Sequence, residues 1–222
     1  MDRPKALLAW SSGKDSAFAL HVVREEGAVE VVGLLTTVND VYDRVAMHGV
    51  RRALLSAQAE AAGLPLTVVT IPSPCPNEVY EARMDVAMRA AKAQGIEHVV
   101  FGDLFLADIR AYRERQLSRV GMQGVFPLWL RDTSSLARAM IESGLRAHVV
   151  CIDPTKLDRR FAGRTFDETF LADLPAGVDP CGENGEFHSF AFAGPMFARP
   201  VACRTGIVVE RDGFVFADVV PT

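Results

Sequence analysis

The run Trp10-Ser11-Ser12-Gly13-Lys14-Asp15-Ser16 leaves one apolar stretch and enters another containing Ala17, Phe18, Leu20, His21 and Val22. Small residues let backbone approach a ligand. A turn that opens a helix presents unpaired N–H groups where the helix dipole adds positive potential, and serine hydroxyls supply further donors. That combination suits an anion. A G-x-x-x-x-G-K-S/T phosphate loop would need Gly at position 8 and Ser or Thr at 15, and Leu8 and Asp15 exclude it. Asp15 would repel a phosphate unless Mg²⁺ lay between them, so it either contacts that ion or serves the helix dipole.

A second group is Glu183, Asn184, Glu186 and His188, packed into six residues among glycines. Paired carboxylates can hold ammonium and a general base can take its proton, since only the neutral amine is nucleophilic. The plain alternative is a solvated acidic turn before a strand. Gly102-Asp103 forms a third group: Gly102 admits close approach, and Asp103 suits Mg²⁺, ribose or an incoming amine, or else caps the next helix. His48 and Arg51 follow a polar stretch, a place for substrate contact, whereas His21 and His98 sit in apolar surroundings and read as structural.

These groups need a scaffold. Five apolar, β-rich runs occupy residues 5–10, 29–38, 65–71, 98–102 and 147–152, and helical periodicity marks 49–62, 77–94 and 132–143. Gly63, Gly95 and Gly144 stop the three helices, with Asn77 as N-cap of the second. Near-continuous apolar strands separated by single helices predict an α/β fold, a five-stranded parallel doubly wound sheet covered on both faces. In such sheets ligands sit beyond the carboxyl ends of the strands, so the 10–16 loop and Gly102-Asp103 should share an edge. Residues 154–180 read as a short helical connector plus loops, and 206–219 as a β-hairpin around Asp212-Gly213. The expected division is 1–153 for the α/β domain and 154–222 for a smaller C-terminal region.

Composition narrows the function classes. The 222 residues are 49% hydrophobic and 23% charged, which fits an ordinary folded protein and excludes wholesale disorder. No apolar run approaches the 18 or so residues of a membrane span, and the N-terminal apolar stretch is short for a secretory signal, so a cytoplasmic location is expected. A net charge of −4 argues against long nucleic acid as the partner. Cys75, Cys151, Cys181 and Cys203 lie far apart with no C-x-x-C, which writes neither a zinc site nor a redox dithiol. Cys181 adjoins the acidic run, but no neighbouring base marks it as a nucleophile. Arg110, Arg113, Arg115 and Arg119, and likewise Arg159, Arg160 and Arg164, read as solvated faces unless one of them meets the active edge.

Residues 11–16 resemble the S-G-G-K-D-S pyrophosphate loop of the N-type ATP pyrophosphatases, with Ser12 where the first of two glycines usually stands. The resemblance extends to Met47-His48-Gly49-Val50-Arg51, to residues 57–66, to Phe101-Gly102-Asp103-Leu104 and onward to Arg110, and to residues 179–190 with Gly182-Glu183-Asn184-Gly185-Glu186-Phe187-His188. In these segments the chain is similar to the diphthine–ammonia ligase family along essentially its whole length. The resemblance implies a PP-loop, HUP-like sheet and an enzyme that uses ATP and Mg²⁺, adenylates a carboxylate with release of pyrophosphate, and displaces AMP with ammonia.

Carried onto this chain, it implies that Ser11, Ser12, Gly13, Lys14, Asp15, Ser16, Thr36 and Gly102 bind ATP, with Asp15 at the metal. Asp103, Glu183, Glu186 and His188 would be catalytic, and His48, Arg51 and Asn184 would bind substrate. The family's acceptor is diphthine, a modified histidine of an archaeal and eukaryotic elongation factor. The Ala- and Arg-rich style is bacterial, and bacteria lack that acceptor, so a different small carboxylate stays open, as does a homodimer. A tRNA-modifying enzyme with the same loop and a non-catalytic ATP- or AMP-binding regulator are the alternatives.

Overall fold

The computed structural model describes residues 3–41, 43–45 and 48–222; Met47 of the His48 motif lies outside them. The first half alternates strands and helices: β1 (Lys5–Ala9), α1 (Lys14–Glu26), β2 (Glu30–Asn39), β3 (Arg44–Val45), α2 (Arg52–Ala62), β4 (Leu66–Ile71), α3 (Asn77–Ala93), β5 (His98–Val100), α4 (Ala107–Ser118) and β6 (Gln123–Val125). The rest comprises α5 (Thr133–Glu142), β7 (Arg146–Ile152), a single 3₁₀ turn at Arg159–Phe161, α6 (Glu168–Asp173), β8 (Phe187–Ala193), β9 (Cys203–Arg211) and β10 (Phe214–Pro221).

Five strands pair in parallel in the order β4-β2-β1-β5-β6, and two-residue β3 adds antiparallel to the end of β2. The predicted class holds, but one strand is corrected. Residues 147–152 do not join the parallel sheet; as β7 they pair antiparallel with β8 and β10 in a second sheet of order β8-β7-β10-β9. The fifth parallel strand is Gln123–Val125, three residues that carry no period to read. A buried apolar run fits either sheet, and only its partners decide which.

Three helix starts also shift. Residues 49–51 form a turn, so α2 begins at Arg52 rather than at 49. Pro76 and not Asn77 is the N-cap of α3. The helix after Asp103 begins at Ala107 behind Leu106, so Asp103 caps nothing. By contrast Asp132, where the predicted 132–143 segment starts, caps α5 and accepts from Ser135 N at 2.8 Å. The hairpin turn forms at Asp212-Gly213 with φ of 52° and 81°, the two positive values that match the twist of the flanking strands.

β1 lies between β2 and β5, which puts the loop after it at the middle of the sheet's carboxyl edge. Leu20, Leu54 and Leu55 of α1 and α2 join Val149 and Phe190 of the second sheet in one continuous core. Each such fully buried leucine contributes about 1.5–3 kcal/mol. On the other face α3 and α4 cover a smaller cluster that contains Leu7, Leu35, Val69 and Val99. These two helices pack loosely. The 17-residue α3 buries only Met88 and Ala91, and α4 buries only Leu117. Among the described residues no helix is long and apolar enough to cross a membrane.

Candidate active site

The 10–16 loop is fixed from α2. Trp10 Nε1 donates to Gln58 Oε1 at 2.9 Å, and Gln58 Nε2 donates to Ser12 O at 3.0 Å and to Ala191 O at 2.6 Å. Gln58 thereby ties the loop to β8, a role its helical position did not announce. Ser12 adopts φ of 70°, the left-handed region that glycine occupies freely, which accounts for a glycine at this position in related loops. Its hydroxyl is buried without a partner. Gly13 is the N-cap of α1, and a Cβ there would lie 3.0 Å from His48 Cε1. Gly102 is tighter still, since its Cβ would lie 2.8 Å from the carbonyl carbon of Asp15. The segment after β5 and the 10–16 loop thus touch backbone to backbone.

Beside this loop opens a cavity of about 540 Å³. Its polar end is walled by Ser11, Asp15, Ser16, Thr36, His48, Gly102, Asp103, Glu183 and His188, and its other end runs under α3 and α4 past Met84, Tyr112 and Leu117. The structure therefore brings nine of the expected site residues to one space, from five separate stretches of chain. Thr36 Oγ1 on that wall is a second buried polar atom without a partner. Of the arginines read from sequence as a solvated face, Arg113 instead meets the cavity. It donates to Asp103 through Nε at 2.6 Å and a terminal nitrogen at 3.1 Å, and its guanidinium lies 4.4 Å from the Phe101 ring. The weak apolar stripe on this helix was the signal that it covers a cavity instead of a core.

Burial tunes the titrating groups. Glu183 sits in a poorly solvated place that pushes its carboxyl up to about 7, against the 2.8 Å hydrogen bond its Oε1 accepts from Leu104 N. Burial lowers His48 to about 3 and His188 to about 4, so both imidazoles are neutral at pH 7, with ring centroids 4.7 Å apart. Because the Ser189 carbonyl can only accept, His48 Nδ1–H donates to it at 3.1 Å, leaving Nε2 as an acceptor.

The remaining expected residues lie off the cavity wall. Lys14, 1% exposed, turns its ammonium to Asp15 at 2.9 and 3.0 Å and to the Cys181 carbonyl, 5.2 Å from the Phe187 ring. Burial opposes that charge, but Asp15 leads the acidic neighbours that outweigh it, so the proton is held more tightly than in free lysine. Glu186, 4% exposed, accepts through Oε1 from Asp179 N at 3.0 Å and Asn184 Nδ2 at 3.3 Å in closing their own turn, and its Oε2 is buried without a partner. Arg51 reaches Asp218 on β10. Among the described residues no three metal-ligating side chains gather.

Residues 4–124 match the family described as the diphthamide synthase N-terminal domain, and residues 132–211 the diphthamide synthase C-terminal domain. The chain belongs to the diphthamide synthase family. The diphthine–ammonia ligase of Homo sapiens is 27% identical over 231 residues, covering 94% of this chain and 86% of that protein. That of Danio rerio is 27% identical over 230 residues, covering 94% and 90%. Among solved structures, the U34-tRNA thiolase NcsA from Methanococcus maripaludis with its 4Fe-4S cluster has a TM-score of 0.39 and 15% identity, covering 64% of this chain and 57% of that one. As a diphthamide synthase family member the chain is an ATP-dependent ligase that forms carbon–nitrogen bonds.

Proposed function

We propose that the chain adenylates a carboxylate and converts it to an amide. A carboxylate oxygen attacks the α-phosphorus of ATP, the bond to the bridging oxygen breaks and pyrophosphate leaves; ammonia then attacks the acyl carbon, AMP departs, and one proton is lost to a base. The observation that carries this reading is that the phosphate loop and the Glu183, His48 and His188 side chains wall one cavity. In it, residues 1–153 bring the ATP-binding walls and residues 154–222 the acidic loop.

Ser11, Ser16 and the amides at the start of α1 would hold the β and γ phosphates as the leaving group. Thr36, with its unpaired hydroxyl, would meet the nucleoside. Asp15 faces the cavity with a carboxylate, the donor Mg²⁺ takes alongside phosphate oxygens, and the ion would neutralise charge on the departing pyrophosphate. Asp103, held by Arg113, would orient the incoming amine. Glu183 is the base: a carboxyl near 7 exists half ionised at neutral pH and can both bind ammonium and take its proton. The relatives' name gives diphthine as one acceptor to test, and a small carboxylate as the other.

The test incubates the protein with ATP, Mg²⁺ and ¹⁵N-ammonium plus each acceptor class, and resolves AMP with pyrophosphate from ADP with phosphate. Acceptor-dependent AMP and an ¹⁵N amide are expected. ADP would overturn adenylation, and tight ATP binding without turnover on either acceptor class would favour the regulator.

A further inference from the structure

The turn that carries His48 is fastened from the far end of the chain. Asp218 on β10 accepts from Arg44 at 2.9 Å and from Arg51 Nε at 3.2 Å, and Arg44 donates to Gly49 O at 2.6 Å. Within the turn, Val45 N donates to Val50 O at 2.8 Å and Gly49 N to Val45 O at 3.0 Å. Phe216, two residues before Asp218, closes over Gly49, where φ is +65° and an added Cβ would lie 3.2 Å from the ring. The Asp218 side chain is 14% exposed. Burial would raise its carboxyl, but Arg51 and Arg44 outweigh it and hold it below the ordinary range. On its other side the His48 imidazole meets β8 through Ser189 O and the His188 ring.

His48 thus stands between two strands of the second sheet, and neither belongs to the parallel sheet that binds the nucleotide. Two arginines converging on one carboxylate, with Phe216 over Gly49, anchor the backbone that carries the ring, and Ser189 O and His188 meet the ring itself. We propose that Asp218 and Arg51 are positioning residues that set His48 toward the substrate, an inference resting on the reading of this cavity as the active site. The Arg51 guanidinium, a residue type suited to binding a carboxylate substrate, is committed to this internal carboxylate instead.

Isotope-labelled histidine, followed by NMR through a pH titration, tests this in the full chain. In Asp218→Asn the His48 midpoint is expected to rise by about one unit as the ring loosens toward water, while His148, stacked on Phe192, serves as the unmoved control. AMP formation should fall about tenfold with KM for ATP unchanged, and Asp218→Glu should recover most of the loss. In a His48→Ala background Asp218→Asn should add no further loss, as expected when one residue acts only through another. If Asp218→Asn does not fold, Arg51→Gln carries the same tests, because Arg44 still holds the aspartate. An unmoved His48 titration, or an additive loss in the double variant, overturns the proposal. A protein that makes no AMP would sink the adenylation reading, while the histidine titration would still decide this one.

Discussion

The loop of residues 10–16 and the loop of residues 179–188 face one cavity, yet they do so with different chemistry. In the proposed reaction the first would work through the backbone at the start of α1, where Gly13 N already donates to Ser11 Oγ at 3.3 Å and Lys14 N to Ser189 Oγ at 3.0 Å. The second offers side chains, Glu183 and His188, whose acidity depends on what buries them. Glu183 illustrates the difference: burial raises its carboxyl, while the N–H of Leu104, 79 residues away in sequence, pulls the other way.

Breaking the side-chain half should have the largest effect. Glu183→Gln removes the proposed base and should lower amide formation about 10²- to 10⁴-fold while leaving ATP affinity intact, measured by calorimetry beside turnover. The pH profile sharpens the point. A carboxyl at about 7 is protonated and inert below that pH, so the rate of the wild-type protein should climb through 7, and the variant should lose that limb. Breaking the backbone half comes next. Gly102→Ala would drive a Cβ into the Asp15 backbone, and a displacement of the loop by a fraction of an ångström should cost about 100-fold in turnover with weakened ATP binding.

Smaller effects separate the two regions further. Both cavity histidines are held below their ordinary value of 6.5, to about 3 and about 4, so the unfolded chain binds more protons in that window. Their contribution to stability is complete above 6.5 and is lost as pH falls toward 4. Melting temperature followed from pH 7 to 4 should drop, and a His48→Gln, His188→Gln variant should drop less steeply. The smallest effect belongs to Ser12→Gly. It relieves a positive φ and removes an unpartnered buried hydroxyl, so urea unfolding should show a gain of about 1 kcal/mol, or no gain if Ser12 is satisfied by an ordered water.

Ser12 also shows how far the sequence reaches. Its place in a strand–loop–helix unit and the Asp212-Gly213 turn were legible because each depends on neighbours a few residues apart. The same holds for the convergence of Gly102 and Asp103 on that loop, which follows from strands being parallel. Where a side chain points was not legible. Lys14 and Asp15 are adjacent, yet one is buried under Phe187 and the other walls the cavity; Glu183 and Glu186 are three apart, yet one faces the cavity and the other closes a turn.

Residue order alone was enough to mark the local units, since propensity, spacing and glycine stereochemistry act over short stretches. Only the tertiary structure decided that residues 147–152 belong to the second sheet, that Arg51 meets Asp218, and that Glu183 titrates near neutrality. Those outcomes depend on pairing partners and desolvation supplied by distant segments, and no property of the residues themselves encodes which segment arrives.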